Sequence, residues 1–116
     1  LHGYAISVSL TFAATTLDAR NWVIDFGSFK PVKQWLHDNF DHVLIVAADD
    51  PHWDDLQHLA SLGLAKFRCT QAVGCEAFAK EIANHVVDWL STQTDRVHLT
   101  SVTVQEHAGN AAGYMP

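Results

Sequence analysis

The sequence predicts a single α+β domain, an antiparallel sheet with its helices gathered on one face, and three observations carry that expectation. A period-two run opens the chain, another strand-like run closes it, and the middle holds apolar residues at helical spacing, clearest over residues 76–90. Strand pairs of this kind with helices between them suit an α+β layer arrangement and not a doubly wound parallel sheet.

Over residues 4–13, Ile6, Val8, Leu10 and Phe12 alternate with Ser7, Ser9 and Thr11, the pattern of a half-buried strand. Residues 15–20 are polar and turn-like. Trp22, Val23, Ile24 and Phe26 then suggest a second strand over 21–26, forming a hairpin with the first. Gly27 and Ser28 interrupt the pattern. Ser28 suits a helix cap, and Pro31 fits the first turn, where backbone N–H groups have no intrahelical acceptor. Phe29, Val32 and Trp35 or Leu36 mark a helical stripe ending near Asn39. Residues 43–47 form a short apolar run. Asp49-Asp50-Pro51 opens another helix, with Trp53, Leu56, Leu59 and Leu62 at helical spacing and Gly63 as its stop. Residues 66–70 suit a short strand. Phe78, Ala79, Ile82, Val86, Trp89 and Leu90 line one broad side of the 76–90 helix. A last strand follows over 97–106, and 109–113 reads as a loop. The expected order is β-β-α-(β)-α-(β)-α-β in one domain, 1–116.

A chain of 116 residues is the size of one domain. Small domains bury a limited share of their surface and often complete their packing in an oligomer. Hydrophobic residues at 48% with charged residues at 17% exclude a disordered chain. No apolar run approaches the roughly 18 residues of a membrane span, and no basic start precedes an apolar stretch. No membrane partner is expected. The net charge of −6, with no basic patch, argues against nucleic acid as a partner. Cys69 and Cys75 fit neither a zinc ribbon nor a C-x-x-C motif, so two free thiols in a reducing, cytoplasmic setting are expected.

Each candidate for chemistry has an unremarkable alternative. His37, His58 and His85 lie on predicted helices without a histidine partner at i+4 and read as surface residues, because metal sites need converging ligands. His2 and Tyr4 are spaced to share one sheet face. Asp41-His42 lies between a helix and an apolar run. Such a pair is a turn, or an acid that orients an imidazole for proton transfer near neutral pH. Glu106, at a strand end, needs donors if buried, and a ligand with two parallel N–H groups would supply them.

Five motifs in order resemble the 6-pyruvoyl-tetrahydropterin synthase family, the tunnelling fold. H-G-Y-A-I-S-V-S-L at the start is similar to its H-G-H-x-Y/F-x-V-x-V strand, and V-I-D-F-G-S-F-K from Val23 resembles V-x-D-F-G/A-x-L-K. Phe40-Asp41-His42 resembles L-D-H, Gly74-Cys75-Glu76-Ala77-Phe78-Ala79 resembles T-x-E-N/x-x-A, and Val102-Thr103-Val104-Gln105-Glu106 resembles V-x-V-x-E. Together they span His2 to Glu106.

The resemblance implies a cytoplasmic lyase acting on 7,8-dihydroneopterin triphosphate, either of the 6-carboxytetrahydropterin type that serves queuosine and other 7-deazaguanines or of the 6-pyruvoyl type. A non-catalytic subunit that binds pterin or purine is a third possibility. The family's site lies between subunits whose sheets join in a β-barrel, so a homo-oligomer, a trimer or hexamer, is implied. Zinc held by three histidines is implied as cofactor. Asp41 and His42 match the proton-relay pair, Glu106 the pterin anchor, and Glu76 and Cys75 the edge of the pterin pocket. His2 matches one zinc ligand, whereas Tyr4 replaces another and Gly74 replaces a threonine. The third zinc histidine and the catalytic cysteine would lie upstream of Leu1, and neither Cys69 nor Cys75 corresponds to that cysteine. Both read as small buried thiols. Residues 50–71 are longer than in many relatives.

Overall fold

The computed structural model describes residue 1 and residues 3–116. Its long first strand, β1 (Ser7–Ala14), buries alternate residues. Ile6, Val8, Leu10, Phe12 and Ala14 pack toward the core, while Ser7, Ser9, Thr11 and Ala13 face outward. Its partner is not the next segment of chain. It pairs antiparallel with β4 (Val97–His107), which pairs in turn with β5 (Asn110–Tyr114), giving the order β1-β4-β5.

The expected hairpin partner over 21–26 is therefore corrected. That segment loops, because its backbone groups find other partners. The Asp18 carboxylate accepts the N–H groups of Arg20 and Trp22, and Asn21 takes a left-handed φ of 63°. The Arg96 guanidinium donates to the carbonyls of Thr16 and Val23. An open space of about 680 Å³ lies between Leu10–Phe12 of β1 and residues 22–26. A 3-10 turn (Phe26–Phe29) follows, capped by Asp25 accepting from the Gly27 N–H, not by Ser28, whose hydroxyl donates to the Asp25 carbonyl.

Helix α1 (Lys30–Phe40) carries Pro31 in its first turn and buries Val32, as the apolar stripe predicts. Strands β2 (Val43–Ala47) and β3 (Lys66–Thr70), joined through α2 (Trp53–Ser61), pair in parallel as a separate two-stranded sheet. The antiparallel sheet is thus joined by a small parallel unit, which the expected class did not contain. A crossover helix is what allows two consecutive strands to run the same way.

Helix α3 (Cys75–Ser91) supplies the core. Ala79, Ile82, Ala83, Val86 and Leu90 meet Val97, Leu99, Val102 and Val104 of β4. Ile82, Val86, Val102 and Val104 are fully buried, and burying each such side chain contributes about 1.5–3 kcal/mol. The predicted loop over 109–113 is instead β5. No described helix is long and apolar enough to cross a membrane.

Candidate active site

Helix α1 ends where its apolar stripe ends. The Asp41 N–H still reaches the His37 carbonyl at 3.0 Å, but Asp41 itself is extended (φ −81°, ψ 120°). His42 then takes a left-handed φ of 54°. That conformation is usual for glycine after a helix and is costly for a side-chain-bearing residue. Its effect is to turn the imidazole back on its neighbour. The two sequence-predicted residues do meet: His42 Nδ1 lies 3.0 Å from Asp41 Oδ1. A carboxylate only accepts, so a proton held between the two would sit on Nδ1 and leave Nε2 of a neutral ring free to take one. With its side chain 93% exposed, that ring is accessible to a ligand.

His37 is a surface residue, as expected, with its side chain 64% exposed, and its Nδ1 lies 3.2 Å from the other oxygen, Asp41 Oδ2. All three side chains line an open cleft of about 1200 Å³. Its walls include Tyr4 and Ile6 ahead of β1, Leu36 of α1 and Lys66 of β3. The Lys66 amine donates to the Asp38 carbonyl and so ties β3 to the last turn of α1. Behind the cleft, the Arg68 guanidinium pairs with Glu81 of α3 and lies 4.7 Å over the Phe40 ring.

Glu106 sits where the β4–β5 register shifts, between the pairs Gln105–Ala111 and His107–Asn110. A bulge re-aims a side chain. Here Asn110 Nδ2 donates to Glu106 Oε1 at 2.8 Å, leaving most of the carboxylate's acceptor capacity open. Cys75 opens α3 beside it. Burial, then the charges of Glu106 and Glu76, push the Cys75 thiol above its ordinary value. The three predicted pocket residues are therefore neighbours. Cys75 stays a thiol at neutral pH, which suits its assignment outside the nucleophile or base role. Cys69, expected to be buried, is exposed. His85, also read as a surface residue, is half-buried and stacks on Trp35 with ring centroids 4.0 Å apart.

Gly74, before α3, has φ 120° and ψ 163°. Only glycine occupies that region freely, which accounts for glycine where the family motif has threonine.

The two groups lie at one end of the fold. Antiparallel pairing puts the start of β1 beside the end of β4, and an edge-on contact of Phe40 with Phe78 at 5.3 Å joins the end of α1 to the start of α3. Among the described residues, Cys75, Glu76 and Glu106 stand outside the lining of the cleft that holds Asp41 and His42. The expected metal ligand His2 lies outside the described residues. Among those described, no group of three or more His, Cys, Asp or Glu is placed to hold a metal ion. Tyr4 is half exposed before β1. The described donors do not fit a three-imidazole zinc centre.

Comparison with known proteins bears on this arrangement. A family profile described as 6-pyruvoyl tetrahydropterin synthase matches residues 1–116. A 6-carboxy-5,6,7,8-tetrahydropterin synthase of Bacillus subtilis is 26% identical over 116 residues, all of this chain and 68% of the relative. One of that name from Rickettsia felis is 45% identical over 51 residues, 43% of this chain; the match spans only 37% of the relative's length. The crystal structure of an uncharacterised protein from Wolinella succinogenes superposes with a TM-score of 0.75 at 21% identity. It covers 98% of this chain and 78% of that one, a likeness of fold.

Proposed function

Because the chain belongs to the 6-pyruvoyl tetrahydropterin synthase family, we propose that it is a pterin-forming lyase, most closely a 6-carboxy-5,6,7,8-tetrahydropterin synthase acting on 7,8-dihydroneopterin triphosphate. The observation that carries this reading is the Asp41–His42 contact in an open cleft, at the same end of the fold as the Glu106–Cys75–Glu76 group. Similarity along all of this chain, and 68% of the relative, to a synthase of that name supports the choice of product.

In this reading Glu106 accepts two N–H groups from the pterin's aminopyrimidine edge, with Asn110 holding its orientation. His42, fixed by Asp41 through Nδ1, moves a proton at the substrate side chain through Nε2. Cys75 and Glu76 border the ring as a neutral thiol and a carboxylate. Separation of the two groups within one chain supports a working site assembled between copies in a homo-oligomer.

The two groups should fail in different ways. His42→Ala should lower kcat by roughly 10²–10⁴-fold, the usual value of a positioned acid or base, with pterin affinity retained. Glu106→Gln should weaken pterin binding instead, by about 1.5–3 kcal/mol for each charge-assisted bond lost. Steady-state kinetics with a direct pterin-binding measurement would separate them. Parent-like behaviour in both variants would remove both residues from the function.

A further inference from the structure

We propose that His37 is a positioning residue for the proton-transfer pair: it occupies one oxygen of Asp41 so that the other stays directed at His42. The geometry is a shared carboxylate. Nδ1 of His37 lies 3.2 Å from Oδ2, and Nδ1 of His42 lies 3.0 Å from Oδ1. Without a second donor, an exposed aspartate rotates about its side-chain bonds and swaps between solvent and neighbour. Asp41 is 48% exposed, and among the described residues these two imidazoles are the side chains that meet its carboxylate.

Helical spacing makes His37 suited to this task. Residues four apart are neighbours on a helix surface, and Asp41 keeps the backbone bond to His37 that ends the helical ladder. A second pair on α1 shows that an amide can serve the same way, since Gln34 Nε2 donates to Asp38 Oδ1 at 2.9 Å across the same interval. Exposed ion pairs contribute little to stability, so the consequence of the contact lies in orientation. Fixing Asp41 fixes the His42 tautomer, with the proton on Nδ1 and Nε2 free for the substrate.

The inference rests on the proposed lyase reading for its consequence in catalysis, but its physical claim can be tested without turnover. The test records the ring-nitrogen spectrum of His42 by nitrogen-15 NMR at mildly alkaline pH, in parent, His37→Ala and His37→Gln proteins, and measures kcat and KM alongside. The parent should hold His42 in the Nδ1–H form. His37→Ala should give a mixture of tautomers and lower kcat by about 10- to 100-fold with little change in KM, as for a misplaced catalytic group. His37→Gln should restore both, because its amide donates across the same interval. An unaltered His42 tautomer in His37→Ala overturns the proposal, and so does a mixture that glutamine fails to correct. If no variant turns over substrate, the lyase reading falls and the spectra alone decide the role of His37.

Discussion

At the scale of single residues, the left-handed backbone of His42 sets its imidazole against the carboxylate of the residue before it. Asp41 and His42 declare themselves because neighbours in sequence are within reach in any turn, and the structure brings them to 3.0 Å. His37 stayed hidden for a definite reason. With the helix expected to stop near Asn39, Asp41 falls outside the helical register, whereas α1 runs through Phe40 and keeps Asp41 bonded to His37. The resemblance sets Cys75 beside the pterin and outside the nucleophile role, although the sequence does not show that Glu106 and Glu76 both lie close enough to raise its thiol. Its chemistry can be checked. A thiol raised above its ordinary value of 9.0 loses its proton first in the unfolded chain. The stability it contributes is therefore complete below that pH and is lost as pH rises through the folded value. At neutral pH, alkylation followed by peptide mass mapping should modify exposed Cys69 well before Cys75. Equal rates at the two sites would contradict the shielded thiol.

At the scale of elements, helices were legible from their apolar stripes, and α3 was located to within a residue at each end. Strand partners were not. Trp22, Val23, Ile24 and Phe26 suggest a strand over 21–26, but apolar content does not reveal that Asp18 and Arg96 hold the segment's backbone groups. β5 resembled a loop because Ala111, Ala112 and Gly113 have little strand propensity. It forms because β4 offers a free edge from Val102 to His107, on either side of the register shift at Glu106. The parallel β2–β3 pair depends on the path of α2, a tertiary property. Gly74 shows the backbone acting on sequence. Gly74→Ala should destabilise the protein by about 1–3 kcal/mol through strain alone, since the position added by a Cβ meets only Glu76 Oε2, at 3.6 Å. Urea unfolding would check this, and an unchanged midpoint would mean that the N-terminus of α3 relaxes freely.

At the scale of the molecule, the three-stranded sheet covers one face with α3 and leaves β1 and β5 as its edges among the described residues. The open face of β1 carries Ser7, Ser9, Thr11 and Ala13. Unpaired backbone along such edges is a template for another strand, so the protein should be a homo-oligomer joined edge to edge. Light scattering of the full protein at micromolar concentration should give a mass several times that of one subunit, and a stable monomer would contradict the assembly. Five short motifs made the family resemblance readable along nearly the whole chain, and the family profile bears it out over residues 1–116. A lyase built around Asp41–His42 and Glu106 should show itself when the purified full protein is incubated with 7,8-dihydroneopterin triphosphate and the products are identified by mass. Release of triphosphate and of the two outer side-chain carbons as acetaldehyde, with one water consumed, should accompany formation of 6-carboxy-5,6,7,8-tetrahydropterin, and His42→Ala should abolish or strongly slow it; pterin binding with no product at all would rule the lyase out.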